Sequence, residues 1–144
     1  MIVVVDASVL VAELLRRRGR ELFAHPDLQC VVAEEQWGEA RYELQKRVAA
    51  MAGQGRLSSE QGEKLLGVVH DFVEDDVIEV VPRTFYEHME RAARRRVPRD
   101  PNDWAPVALA LALNVAILTG DHDFLGCGCP TWTIETLTTE LGPS

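Results

Sequence analysis

Short β-branched runs alternate along this chain with longer segments whose apolar residues recur every three or four positions. Residues 2–5 (Ile-Val-Val-Val) form the first such run and predict a buried strand. Val9, Leu10, Ala12, Leu14 and Leu15 then follow at helical spacing, so a helix is expected over 7–18, closed by Gly19. A second strand is expected over 28–32. A long helix follows over 34–51, with Ala33, Trp37, Ala40, Leu44, Val48 and Met51 on its apolar stripe. Gly53-Gln54-Gly55 interrupts the pattern. Ser58 and Ser59, with Glu or Gln in the next turn, then start a helix that runs to about Glu74.

The second half repeats the alternation. A third strand is expected over 77–81, ended by Pro82, and then a helix over 84–96 that grows increasingly basic. Asp100-Pro101-Asn102-Asp103 opens a helix that is apolar nearly all round to Leu113, which predicts deep burial. Further strands are expected over 115–119 and 131–134. Strands alternating with helices imply a parallel sheet covered on both faces. The expected fold is therefore α/β, a three-layer α/β/α sandwich around a parallel sheet of about five strands, in a single domain over 1–144.

In such sheets ligands gather past the carboxyl ends of the strands, and that rule selects acids. Asp6 follows the first strand; Asp121 and Asp123 follow the fourth. Asp100 and Asp103 begin the helix that feeds the fourth, and Glu39 lies on the helix after the second. Each has a plain structural reading. Asp6 can cap the helix beginning at Ala7. Asp100, Pro101 and Asp103 make a good helix start. Asp121 and Asp123 suit a turn around Gly120. Glu35, Glu39 and Glu43 share one helix face, and spacing does not choose among them. As a set the acids mean more, because clustered carboxylates repel unless protonated or bridged by a cation. Oxygen-rich sites suit Mg²⁺ or Mn²⁺, which keep waters for a substrate phosphate.

These residues carry a family resemblance. Val-Val-Asp6-Ala-Ser8-Val-Leu resembles the opening of a PIN domain, and Trp37-Gly38-Glu39-Ala40 its second acidic position. Asp103-Trp104 before the run from Ala108 to Leu113 resembles the third. Leu118-Thr119-Gly120-Asp121-His122-Asp123-Phe124 resembles the fourth. The resemblance covers almost the whole chain in order. It implies a metal-dependent endoribonuclease of the kind found as VapC-type toxins in toxin–antitoxin pairs, with Mg²⁺ or Mn²⁺ as cofactor. By the same resemblance Asp6, Glu39, Asp103 and Asp121 are the catalytic acids. Metal ligands are expected among Asp6, Asp103 and Asp121, with Asp100 and Asp123 in second rank. Ser8 and Thr119 match the small hydroxyl residues beside the first and fourth acids. The implied partners are RNA, single-stranded or structured, and an antitoxin protein, expected in a groove between the early helices where Leu14, Leu15 and Leu44 are exposed; a homodimer is expected as well. Alternatives are a PIN-fold nuclease of RNA processing without an antitoxin, and a non-catalytic RNA- or protein-binding PIN module. A haloacid-dehalogenase-type phosphatase would need an acid where Ser8 stands, and a response-regulator receiver would need a late Lys, yet none follows Lys64.

Charge first argues against nucleic acid, because the chain of 144 residues carries a net −8. The six candidate acids supply most of that excess. Arg91, Arg94, Arg95, Arg96 and Arg99 lead without an intervening acid into Asp100. A solvated helix face is the ordinary fate of such a run, but its position at the site's rim makes Arg94, Arg95, Arg96 and Arg99 candidate RNA contacts. The remaining chemistry is plain. Cys30, Cys127 and Cys129 suggest a reducing cytoplasm rather than disulfides. Cys127-Gly128-Cys129 lacks the four ligands of a zinc site and is expected to be a packed turn. His25, His70 and His88 are expected at the surface, and Trp37, Trp104 and Trp132 in core or interface. No export segment or membrane span is expected, since the apolar run 104–113 falls far short of about 20 residues.

Overall fold

The structure, a computed structural model, describes residues 1–143; the side chains of Pro101 and Asp123 lie outside that description. Five strands form one all-parallel sheet in the order β3-β2-β1-β4-β5: β1 (Ile2–Val5), β2 (Gln29–Ala33), β3 (Ile78–Val81), β4 (Ala116–Leu118) and β5 (Thr131–Trp132). β1 is central, paired to β2 on one edge and β4 on the other, which is why its β-branched run is buried.

Alternate residues of the strands feed two cores. Val3, Val5, Cys30, Val32, Ile78 and Leu118 face one side. There they pack under α1 (Ala7–Leu14), α2 (Arg17–Phe23), α3 (Glu34–Gly53), α4 (Ser59–Glu74) and α8 (Ile134–Leu141). Val4, Val31, Ala33, Val81 and Ile117 face the other side, under α5 (Arg83–Tyr86), α6 (Glu90–Arg96) and α7 (Trp104–Leu113). The three-layer sandwich expected from the alternation is what forms. The two-residue period of a strand supplies opposite faces to opposite layers. Among the described residues no helix is long and apolar enough to cross a membrane.

Local signals set several boundaries. Ser58 and Gln61 form a reciprocal capping box at the start of α4, with amide bonds of 2.8 and 3.0 Å. α7 buries almost its whole circumference and stops at Asn114, which adopts the left-handed conformation at φ 56°.

Elsewhere the expectation fails for definite reasons. The first helix ends at Leu14, and Gly19 is not its terminator but lies inside α2. A Cβ at Gly19 would overlap the Glu13 backbone, so glycine is required by the close approach of α2 to the end of α1. Gly19→Ala should therefore destabilise the fold by about 1–3 kcal/mol through overpacking, read as a lowered urea midpoint; an unchanged midpoint would show that the approach is not tight. The expected helix 84–96 is interrupted by a 3₁₀ turn at Glu87–Met89, which Arg83 bridges by bonding Glu90 at 2.9 Å. The last strand stops at Trp132, where Thr133 caps α8, a helix that β-branched Thr131, Thr133 and Ile134 disguise as strand.

Leu14 and Leu44 are fully buried and Leu15 partly so; the exposed leucine groove expected between the early helices is not there, because these side chains fill the core under α1 and α3. His25 is likewise buried rather than at the surface. Its Nδ1 accepts the Asp27 amide at 3.1 Å, which makes Nε2 the donor to the Gly142 carbonyl at 3.2 Å and ties the end of α2 to the C-terminal end of α8.

Candidate functional site

The strand order reverses at β1: the chain passes from β1 outward to β2 and β3, then crosses to β4 on the other side. The crevice beyond the carboxyl ends of β1 and β4 is the switch point of the sheet. Register brings Val5 beside Leu118, so Asp6 and Thr119 emerge next to each other, and the Asp6 amide bonds the Leu118 carbonyl at 3.0 Å.

Asp6 stands at the start of α1 without capping it. The free amide of Ala7 is taken by Gln36 Oε1 at 2.7 Å, from the first turn of α3. The amides two and three residues on, which would donate to an N-cap carboxyl, make no bond to Asp6. The Asp6 carboxyl is instead held by two hydroxyls: Ser8 Oγ donates to Oδ2 at 2.8 Å and Thr119 Oγ1 donates to the same oxygen at 3.1 Å. Thr119 Oγ1 in turn accepts the Asp121 amide at 2.9 Å. Ser8 and Thr119 thus orient Asp6 and link it to Asp121. Gln36 has no local signal in the sequence, since its partner is 29 residues away.

The carboxylates sense one another. Burial raises the pKa of Asp6 above the usual carboxylate range, and the Asp121 charge adds to the effect; the Ser8 and Thr119 hydroxyls and the Ala7 amide oppose it. The Glu39 pKa is also raised, first by desolvation and then by the charges of Asp6, Asp100 and Glu43, although α3 leaves this residue largely open to solvent. The face shared by Glu35, Glu39 and Glu43 is resolved in this way. Glu35 is occupied elsewhere, accepting hydrogen bonds from Arg83 and from the Tyr86 hydroxyl. The Glu39 carboxyl is perturbed by Asp6.

Asp100 and Asp103 approach from the opposite layer. Asp100 accepts the Asn102 amide at 2.9 Å, so its expected turn-capping role is real, and Pro101 follows it at the first position. Both acids line a cleft of about 220 Å³ shared with Arg96, Arg99 and His122. Asp123, a second-rank candidate ligand, has its side chain outside the described residues. A larger cavity of about 410 Å³ between α2 and α8, lined by Leu22, His25 and Thr138 among others, holds none of the six acids.

The basic run divides by role. Arg96 and Arg99 line the acid cleft, and Arg96 also donates to the Cys127 carbonyl at 2.9 Å. Arg94 pairs with Glu90 at 3.0 Å and lies over the Trp104 ring at 5.3 Å from its centre, while Arg83 lies over the same ring at 5.1 Å. Arg95 is exposed. Trp104 is buried, and Trp37 and Trp132 are partly buried against the first core, so none of the three is an open stacking platform. The Cys127-Gly128-Cys129 segment is a packed turn. Gly128 has φ 88° with the Arg96 guanidinium pressed against it, and Cys127 Sγ approaches the Cys129 carbonyl at 3.9 Å. Burial pushes the Cys30 thiol up to about 12 and the Cys129 thiol up to about 11, so neither is primed as a nucleophile or a soft metal ligand.

The donor set is all-carboxylate at its centre, with two desolvated members that face other acids, and such a set fits a hard divalent cation. Among the described residues no three His, Cys, Asp or Glu side chains converge tightly enough to grip an ion by themselves. An ion that takes few carboxylates and completes its shell with water and phosphate is compatible with that spacing, as Mg²⁺ ordinarily does.

A profile of the PIN domain family matches residues 4–142. Among solved structures, the chain is similar to PAE2754 from Pyrobaculum aerophilum, with a TM-score of 0.63 at 20% identity, over 98% of this chain and 89% of that one. It is similar also to VapBC2 from Rickettsia felis, solved bound to a DNA fragment from their promoter, with a TM-score of 0.60 at 16% identity, over 92% of this chain and 98% of that one. No curated protein matches it by sequence.

Proposed function

The chain belongs to the PIN-domain family, and on that footing we propose that it is a Mg²⁺- or Mn²⁺-dependent endoribonuclease that hydrolyses phosphodiester bonds of single-stranded RNA. The observation that carries the reading is the carboxylate cluster at the β1/β4 switch point, where Asp6 and Glu39 hold their protons more tightly because they are desolvated and other acids face them. A divalent cation held by these acids would relieve that repulsion and would leave room in its shell for substrate phosphate.

Asp6, Asp103 and Asp121 would hold the metal, with Asp100 at the cleft wall. When bound, such an ion would supply an activated water and neutralise charge on the phosphate. Ser8 and Thr119 fix the Asp6 carboxylate by their hydroxyl bonds. Glu39, the more solvent-open acid, positions the attacking water and takes its proton. Arg96 and Arg99 share the cleft with Asp100 and Asp103 and steer the RNA backbone to it. The net negative charge is then compatible with an RNA substrate, because a metal and a local pair of arginines present the positive charge.

The test is cleavage of a labelled single-stranded RNA by rigorously purified protein with Mg²⁺, with Mn²⁺ and with excess chelator. Cleavage in both metals and its loss in chelator are expected; chelator-resistant cleavage, or none, would overturn the reading. Glu39→Gln should lower the rate by about 10²-fold, whereas Glu43→Gln should cost far less. Equal losses would mean that Glu39 holds no special place among the acids of α3.

The biological setting follows from the same likeness. The resemblance to VapC-type toxins favours a toxin role with an antitoxin as partner, and the match of fold to VapBC2 over nearly the whole length of both chains supports it. Inhibition of the cleavage by the product of an adjacent short reading frame would be the expected sign of that partner.

A further inference from the structure

α1 and α3 follow parallel strands, cover the same face of the sheet and pack side by side, so both run away from the carboxylate cluster. Their starts are joined where Gln36 bonds the Ala7 amide. At their far ends lies a furrow of about 380 Å³ lined by Ala12, Leu15 and Met51 together with Arg16, Arg47 and Arg56. Among the described residues no acid lines it, although the whole chain carries a net −8. Arg47 is two helical turns beyond Glu39 on α3, about 12 Å along the axis. Arg16 follows the end of α1, in the short connection to α2. All three arginines are exposed; among the described residues their only ion pair is a 3.8 Å contact from Arg16 to Glu13. Glu43 lies half-buried on α3 between Glu39 and Arg47, and Glu13 lies buried on α1 beside Arg16.

We infer that the α1–α3 furrow is a second arm of the substrate track, in which Arg16, Arg47 and Arg56 hold phosphates of a single-stranded RNA whose scissile bond lies at the Asp6–Asp121 cluster. The inference rests on the ribonuclease reading and extends it. The Arg96–Arg99 side of the cleft receives one flank of the strand, and the furrow receives the other. Three cations beside apolar lining residues suit a flexible chain that offers phosphates and base faces alternately. They suit an acidic protein segment less well, because carboxylate partners would also have to pass Glu43 and the cluster without a bridging cation.

The experiment uses protein carrying Asp6→Asn, so that RNA is bound and not cut, in Mg²⁺ at several salt concentrations. Fluorescence anisotropy is read with a short oligouridylate that fills only the acid cleft and with a longer one. Adding Arg47→Gln and Arg56→Gln should weaken the longer RNA several-fold and leave the short one unchanged. It should also flatten the slope of log affinity against log salt by about 1.4, the value for two lost phosphate contacts on a single strand. Lys64→Gln, a charge change on α4 outside the furrow, should alter neither. Unchanged affinity and slope for the longer RNA would overturn the furrow while leaving the ribonuclease reading intact. Unchanged RNA binding with lost self-association would overturn it in favour of a second copy of the chain in the furrow. If the Asp6→Asn protein binds neither RNA and the unaltered protein cuts none, the ribonuclease reading has failed and the furrow proposal falls with it.

Discussion

Asp6→Asn is expected to lower metal-dependent RNA cleavage by about 10³-fold or more, equivalent to about 4 kcal/mol of lost transition-state stabilisation. The side chain keeps its shape, and its amide oxygen still accepts the Ser8 and Thr119 hydroxyls that now hold Oδ2. What disappears is the charge that a cation requires. Single-turnover rates in saturating Mg²⁺ measure the loss; a fall of less than tenfold would remove Asp6 from the chemistry. The same substitution should stabilise the metal-free fold at neutral pH. The Asp6 pKa is higher in the folded chain than its ordinary value of 3.8. Across the interval above 3.8 the native state therefore binds more protons than the unfolded state, and stability falls as pH rises through it. Asn carries no such proton. The variant should melt higher than the unaltered protein above that interval in chelator, and the difference should shrink as the pH is lowered toward and below 3.8. In Mg²⁺ the difference should narrow, because the cation stabilises only the unaltered carboxylate.

Trp104→Ala is the second large effect, on stability rather than on chemistry. Trp104 is 5% exposed, begins α7 and packs in the second core with its ring 5.8 Å from that of Tyr86. Arg83 and Arg94 lie over it, and Arg83 joins it through Glu35 to α3. Truncation leaves a large cavity and should cost about 3–5 kcal/mol, with a further fraction from the lost cation–π contacts. Chemical denaturation should show the midpoint shift with an unchanged slope; a loss below about 1 kcal/mol would mean that the site collapses around the gap. Trp104→Phe should recover most of the loss. Because Asp103 precedes Trp104 directly, the Ala variant should also weaken Mg²⁺ binding at temperatures where it remains folded.

The patterns legible in the amino-acid order are those set by short-range physics. β-branched runs mark four of the five strands near their true ends. Periodic apolar residues mark α3, α4 and α7, and Ser58 announces the cap it forms. The misreadings share a cause. Gly19 reads as a helix terminator, because only the approach of the Glu13 backbone reveals why glycine is needed inside α2. Residues 133–134 read as strand by propensity, whereas α8 begins there because Leu137 completes the first core. His25 reads as surface, and it is enclosed by a partner more than a hundred residues away in the chain.

The candidate site divides along the same line. Sequence alone determined which acids follow the strands, and that a parallel sheet would carry them to one edge, because strand direction and the two-residue period are local properties. It placed Glu35, Glu39 and Glu43 on one face and left them equivalent; it left Asp6 between capping and chemistry. Only the tertiary structure tells these acids apart by their surroundings. Ser8 and Thr119 took the Asp6 carboxyl, Arg83 and Tyr86 took Glu35, and the fields of Asp6 and Asp100 reached Glu39. Each decision depends on groups that the folding of the chain across the sheet brings together. Hydrogen bonds and charges act over a few ångströms of space, whatever the separation along the sequence, so no local pattern could have recorded them.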